Sequence, residues 1–112
     1  MPTPQPGKPA RGTATGRPIM VLLDLLGRKQ TLRILWELRK GALNFRNLQA
    51  ECGDISPTVL NRRLAELRDA LIVEHKPETG YALTRLGTEL IDALAPLNTW
   101  STKWHRRFDA QA

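Results

Sequence analysis

The stretch that decides the fold runs from Phe45 to Leu71 and reads FRNLQAECGDISPTVLNRRLAELRDAL. Gly53 divides it into two apolar runs and suits the positive φ that a helix end often requires. Ser56 and Pro57 then mark a helix start, because Ser can cap free N–H groups and Pro has none to lose. The second run follows the 3.6-residue period of one helix face at Ile55, Val59, Leu60, Leu64, Leu67 and Leu71. The stretch therefore predicts two helices joined by a tight turn.

This unit is typical of proteins that place the second helix in a DNA major groove. With the leucines facing inward, the opposite edge of the second helix carries Pro57, Thr58, Asn61 and Arg62. Asn61 can form two hydrogen bonds with adenine and Arg62 two with guanine, while Thr58 can contact a base, a phosphate or a thymine methyl group. Ser56 belongs to the same edge, although its first expected role is the helix cap. The helix beginning at Ser56 is thus predicted to recognise DNA.

Other polar side chains are candidates for contacts with the DNA backbone. Asn44, Arg46 and Asn47 open the preceding helix, whose N-terminus suits a phosphate. The wing described below adds His75, Lys76 and Thr79. For Arg63 and Arg68, pairing with Glu66 and Asp69 on a solvated face is preferred over a phosphate contact.

The rest of the chain predicts three more helices and a hairpin. Residues 18–26 are apolar nearly all round, residues 30–40 form an amphipathic helix, and residues 85–108 form a long helix that contains Pro96. Between them, two β-prone runs in residues 72–83 flank the turn sequence Pro77–Gly80. The expected fold is mainly α with a small β-hairpin, which is a winged helix-turn-helix.

Charge and composition divide the chain into three parts. Residues 1–17 form a predicted disordered tail rich in Pro and Gly, residues 18–108 one folded domain, and residues 109–112 a C-terminal tail. The net charge is +6, and most of the excess lies in the terminal segments, since residues 1–18 carry three bases and no acid. The basic tail is either a non-specific DNA arm or an incidental extension.

The first and last helices have more apolar surface than one small core can cover. We expect a second copy of the chain to cover it, which predicts a homodimer. The candidate interface residues are Ile19, Leu22, Leu23, Leu26, Leu94, Leu97, Trp100 and Trp104.

Several classes of site are excluded or weakly supported. Cys52 is the single cysteine, so neither an internal disulfide nor a CxxC metal site can form, and it is either a buried apolar residue or a thiol switch. His75 and His105 stand alone, and no catalytic motif is visible, which predicts no metal, no cofactor and no enzyme. Asp24 and Glu66, like Glu37 and Glu89, are expected on solvated helix faces. No run is apolar enough to cross a membrane, which predicts a soluble cytoplasmic protein.

The order of these motifs resembles the HxlR-type winged helix-turn-helix transcriptional regulators. The resemblance rests on residues 23–35 (LDLLGRKQTLRIL), 38–48 (LRKGALNFRNL), 55–67 (ISPTVLNRRLAEL) and 81–87 (YALTRLG). It implies a homodimeric bacterial regulator that binds an inverted-repeat operator and dimerises through its N- and C-terminal helices.

Two departures from the family pattern bear on function. Family members that sense oxidants carry a cysteine before the proline that opens the first helix, but this position is Arg17, so redox sensing by that residue is absent. The wing is also short, because four residues separate Lys76 from Tyr81.

The leading hypothesis is a sequence-specific regulator of double-stranded DNA, expected to repress transcription. The alternative is a winged helix used as a protein-interaction module. An unidentified small-molecule effector is a further expectation, for which Trp36, Tyr81 and Trp100 either line a pocket or serve only core packing.

Overall fold

The chain folds into five helices and one hairpin within residues 3–111, which are the residues that the computed structural model describes. The elements are α1 (Pro18–Leu26), α2 (Thr31–Leu38), α3 (Phe45–Glu51), α4 (Pro57–Asp69), β1 (Val73–Lys76), β2 (Gly80–Leu83) and α5 (Arg85–Gln111). The predicted fold class, mainly α with a winged helix-turn-helix, is confirmed. No helix in this range is long and apolar enough to cross a lipid bilayer.

Local chemistry sets both ends of the turn between α3 and α4. Gly53 has a φ of +72°, as the sequence predicted for the end of α3. Ser56 Oγ accepts a hydrogen bond from the Val59 amide at 3.1 Å, and Pro57 is the first helical residue. Asn44 Oδ1 likewise accepts from the Asn47 amide at 2.8 Å and caps α3. Because side chains cap the starts of both helices, the geometry of the turn is determined by residues close to it in the sequence.

The inward face of α4 ends earlier than predicted. The helix stops at Asp69, and Leu71 has a φ of +66° and a side chain that is 68% exposed. The placement of Leu71 on the buried face is therefore wrong. The chain reverses here, because the Ile72 amide donates to the Leu67 carbonyl at 3.0 Å before β1 begins.

One hydrophobic core holds α4 in place. Leu60, Leu64 and Leu67 are at most 2% exposed and pack in the same cluster as Leu35 and Leu48. This cluster draws on all of the first four helices and on β1, while Leu90, Ile91 and Leu94 of α5 pack against it from outside. The burial of its inner face therefore fixes the orientation in which α4 exposes its outer edge.

The wing is joined to the start of α3. β1 and β2 pair antiparallel from Val73 opposite Leu83 to Lys76 opposite Gly80. Leu43 and Tyr81 exchange two backbone hydrogen bonds of 2.8 and 2.9 Å, which form a single β-bridge between β2 and the segment before α3. The base of the wing is therefore fixed by backbone pairing.

Helix α5 begins at a cap and runs further than predicted. Thr84 Oγ1 accepts from the Gly87 amide at 3.0 Å and caps the helix. A Cβ at Gly87 would collide with the Ile72 carbonyl, so the first turn of α5 lies directly on the chain that enters β1. The helix continues across Pro96 to Gln111, past the predicted end at residue 108. The predicted tail 109–112 is therefore helical through residue 111, and residue 112 lies outside the described residues.

The N-terminal segment takes a defined path along the domain. Pro4 is buried, the Gly7 amide donates to the Gly16 carbonyl at 2.8 Å, and Thr3 Oγ1 donates to Asp69 at 3.1 Å. The segment thus contacts the end of α4. Residues 1–2 of the predicted tail lie outside the described residues, and disorder of residues 1–17 in solution stays a prediction.

Candidate nucleic-acid interface

The outer edge of α4 carries the predicted base contacts. Thr58, Asn61 and Arg62 are all exposed, and their side chains form no hydrogen bond or ion pair with other residues in the range 3–111. Ser56 and Pro57 are exposed at the start of the same edge. This edge therefore presents an amide, a hydroxyl and a guanidinium whose hydrogen-bonding groups are available to a ligand.

The start of α3 faces the wing across a cleft. This cleft has a volume of about 460 Å³, and its lining includes Asn44 and Asn47 on one side and His75 and Thr79 on the other. Arg46 is exposed beside the two asparagines. The structure thus brings two groups of predicted backbone contacts together, although Asn44 Oδ1 is already occupied as the α3 cap.

The wing itself is polar and lightly charged. Lys76 and Thr79 are exposed, but Lys76 Nζ lies 3.5 Å from Glu74 Oε1. The His75 and Tyr81 rings pack with their centroids 4.4 Å apart. Tyr81 therefore supports the base of the wing, and the lysine shares its charge with a neighbouring acid.

A buried ion cluster lies behind the α4 edge. Arg63 Nη1 is 2.5 Å from Glu66 Oε1, and Arg28 Nη1 pairs with Glu66 Oε2. The side chains of Arg28 and Glu66 are 8% exposed and that of Arg63 is 13% exposed. The preferred pairing of Arg63 with Glu66 is confirmed, but the expectation of a solvated Glu66 is wrong. Sequence patterning missed Arg28 because the pair spans 38 residues.

This cluster connects α4 to the turn between α1 and α2. Arg63 Nε donates to the Lys29 carbonyl at 3.0 Å, so one arginine ties α4 to this turn directly. Charged groups removed from water need paired, well-aligned partners, and such pairing fixes geometry. The position of α4 relative to residues 27–29 is therefore set by charge as well as by apolar packing.

Asp24 is the second acid that was wrongly expected on a solvated face. Its side chain is only 3% exposed, and its Oδ1 lies 3.5 Å from Arg11 Nε of the N-terminal segment. The Arg11 side chain is 70% exposed. A buried carboxylate on α1 thus forms a long ion pair with a largely solvated arginine of the predicted tail, and its Oδ1 accepts no hydrogen bond from the described residues.

The predicted dimer residues fall into three groups. Exposed side chains are Ile19, Leu23, Leu97, Trp100 and Trp104, half-buried ones are Leu22 and Leu94, and Leu26 is buried. Leu26 belongs to the core of its own chain and is not available to a partner. Along α5, Trp100 and Trp104 stack with centroids 5.7 Å apart, and Trp104 meets Phe108 edge to face. An exposed apolar strip therefore follows the outer half of α5.

The three aromatic residues proposed for an effector pocket do not share one. Trp36 lines an open groove of about 500 Å³ between α2 and α5, together with Leu32 and Leu97. Neither Tyr81 nor Trp100 contributes to that groove. The small-molecule effector therefore stays a prediction that this arrangement of aromatic residues does not support.

Cys52 is a buried thiol at the end of α3. It is 5% exposed and not disulfide-bonded. Burial raises the pKa of the Cys52 thiol above its ordinary value, and the Glu37 carboxylate raises it further, against an opposite effect from Arg33. Low thiolate content and low access both favour the interpretation of a buried apolar residue over a thiol switch. No group of three or more potential metal ligands occurs in the described part of the chain.

We expect peroxide to leave DNA binding unchanged in both wild type and Cys52→Ser, because burial raises the pKa of this thiol and restricts the access of the oxidant. The measurement is a mobility shift after peroxide treatment, with mass spectrometry of the thiol. Loss of binding by oxidised wild type that Cys52→Ser prevents would establish the switch instead.

The exposed α4 edge, the capped turn before it and the hairpin after it together define a winged helix-turn-helix regulator. The family model described as HxlR-like helix-turn-helix matches residues 25–109. The chain therefore belongs to the HxlR-like family of helix-turn-helix transcriptional regulators, which are not enzymes.

Individual relatives agree with this assignment. An HTH-type transcriptional regulator of Methanocaldococcus jannaschii is 30% identical over 90 residues, which cover 76% of this chain and 83% of the relative. The structure of quinone-bound YodB from Bacillus subtilis matches with a TM-score of 0.71 at 28% identity, covering 76% of this chain and 94% of YodB. A possible HxlR family transcriptional factor from Thermoplasma volcanium matches with a TM-score of 0.66 at 34% identity, covering 76% and 82%.

Proposed function

We propose that this regulator binds a specific double-stranded DNA operator as a homodimer and represses transcription from within the cytoplasm. The observation that carries the proposal is the outer edge of α4. Thr58, Asn61 and Arg62 are exposed without partners in the described chain, on a helix whose inner face is fixed in the core. Side chains at the N-terminal half of such a helix reach base edges when the helix enters the major groove.

Backbone contacts are assigned to the elements on either side of α4. Arg46 and Asn47 lie at the start of α3, and Lys76 and Thr79 lie in the wing across the cleft. Contacts of this kind fix the position of a protein on the duplex and do not depend on base sequence. The short wing restricts Lys76 and Thr79 to phosphates near the edge of the groove.

The apolar strip on α5 supports the dimer. Leu97, Trp100 and Trp104 are each more than half exposed, and Ile19 and Leu23 of α1 are exposed to a similar extent. Large apolar side chains exposed to this extent favour association with a partner, and a second copy gives a two-fold symmetric reader. Such a reader matches an inverted repeat, and its occupancy of the operator excludes other proteins from the same DNA.

The experiment that tests the proposal is selection of bound sequences from a random duplex pool. We expect an inverted repeat with half-sites about one helical turn apart, and an affinity that falls steeply as salt rises. A protein-interaction module would select no sequence and would not bind duplex at low micromolar concentration. That result would reject the DNA-reading function and favour the alternative.

We expect Arg62→Ala to weaken binding to the selected operator by about 1–3 kcal/mol and to relax the base preference at one position of each half-site. The reason is the loss of a guanidinium that can form two hydrogen bonds with one guanine. Arg46→Ala is the matched control, because it should weaken operator and random duplex equally. Titrations of both duplexes measure this, and wild-type binding by both variants would show that the helix is oriented differently.

A further inference from the structure

A strongly basic cavity lies beside the α4 edge, between the middle of α4 and the turn that joins α1 to α2. Its volume is about 320 Å³. The lining consists of Arg11, Gly27, Arg28, Lys29, Arg62, Arg63 and Glu66. Five bases and one acid thus surround one small space, although the folded body of the chain is close to neutral.

The inner wall of this cavity is formed by two arginines and one glutamate. Two guanidinium groups, those of Arg28 and Arg63, both pair with the carboxylate of Glu66 and are largely shielded from water. Arg63 is also bound to the Lys29 carbonyl. Weakly screened charges attract an anion more strongly than the same charges in open solvent.

The outer rim carries three further cations. Lys29 and Arg62 are exposed, and neither forms an ion pair within the described range of the chain. Arg11 lies at the rim, where its Nε is 3.5 Å from the buried carboxylate of Asp24, while most of its side chain stays in contact with solvent. The acids of Asp24 and Glu66 therefore position arginines here and leave the cavity positively charged.

We propose that this basic cavity binds one phosphate of the DNA backbone, so that Arg11 and Lys29 belong to the DNA interface together with Arg62. The proposal rests on the DNA-binding function proposed above. Arg62 decides the choice of anion, because it lines the cavity and also belongs to the α4 edge. A phosphate in the cavity would therefore be close to the bases that α4 contacts.

This assignment gives the N-terminal segment a role. Arg11 comes from the segment predicted to be a tail, yet its ion pair with Asp24 places it at a site that adjoins α4. An arginine that is already placed beside the cavity loses less conformational freedom on binding than one in a disordered arm. Removing one cation that neutralises a phosphate should reduce the steepness of log affinity against log salt by about 0.9.

Salt titrations of single variants test the proposal. We expect Lys29→Ala and Arg11→Ala each to weaken binding by about tenfold on both operator and random duplex, and to reduce the salt slope by up to about 0.9 for each subunit of the dimer. Lys8→Ala and Arg17→Ala are the matched controls, since they remove the same charges from the same end of the chain but do not line the cavity. If Lys29→Ala behaves like Lys8→Ala, the proposal is wrong.

A second measurement places the contact on the DNA. Single methylphosphonate groups, which are neutral, replace each phosphate of the operator in turn. We expect one position in each half-site where this change weakens wild type clearly more than it weakens Lys29→Ala, because the variant has already lost one of the cations that face this phosphate. Additive losses at every position would overturn the proposal even if Arg11→Ala proved unstable. Failure of wild type to bind any duplex would instead reject the proposed function itself.

Discussion

Glu66→Ala should lower the free energy of unfolding by about 3–5 kcal/mol, because it leaves the guanidinium groups of Arg28 and Arg63 without their shared carboxylate. Both arginine side chains are largely shielded from water, so solvent does not replace the missing carboxylate. The change should also loosen α4 from the turn before α2. Chemical denaturation of the variant measures the loss.

Two control variants separate charge from packing. Glu89→Ala breaks a pair with Arg85 in which both side chains are mostly exposed, and it should cost less than about 1 kcal/mol. Replacing Arg28, Arg63 and Glu66 together by apolar residues of similar size should cost far less than Glu66→Ala alone, since no buried charge is then left unpaired. A loss of stability in Glu66→Ala no larger than that in Glu89→Ala would contradict the buried cluster.

Leu97→Glu should convert the proposed dimer into a monomer and weaken binding to the inverted repeat by about 100-fold or more. The reason is that two linked half-site contacts gain an effective-concentration advantage of about 10²–10⁴ over one. Leu97 is 59% exposed on the apolar strip of α5, so a charge there should not disturb the core of the monomer. Sedimentation and titration with full and half operators measure the two effects.

Leu71→Glu is the matched control for this prediction. Leu71 is also exposed, but it lies at the reversal after α4 and outside the α5 strip. It should leave both the molecular mass and the affinity for the full operator close to wild type. A dimeric Leu97→Glu protein with unchanged operator affinity would show that α5 does not form the interface.

The sequence predicted those parts of the fold that depend on neighbouring residues. Ser56 capping α4 and Gly53 at positive φ are each determined within a few positions of the chain. The exposed edge of α4 was predicted as the side of the helix opposite the periodic leucines that identified its buried face. These features could be predicted because helix starts, turns and faces are local properties of sequence.

Long-range pairing of charged groups could not be predicted in this way. Asp24 and Glu66 have the polar type and helical position of solvated residues, and only the folded chain brings Arg11 and Arg28 against them. Leu71 was misplaced for a related reason, since helical periodicity cannot reveal that the chain reverses at Asp69. The basic cavity forms where the N-terminal segment, the turn before α2 and α4 meet. The sequence of any one of these segments alone does not indicate that the cavity exists.

The pairing of Leu43 with Tyr81 also determines which parts of the wing can change during evolution. Gly80 has a φ of +95°, and a Cβ there would lie 2.5 Å from the Leu43 carbonyl oxygen, so this position does not tolerate a side chain. The tip, residues 77–79, lies outside that close contact. Substitutions at the tip can therefore alter which groups meet the DNA, while the backbone pairing that positions the hairpin stays the same. The contacts of the wing can thus vary independently of its position on the domain.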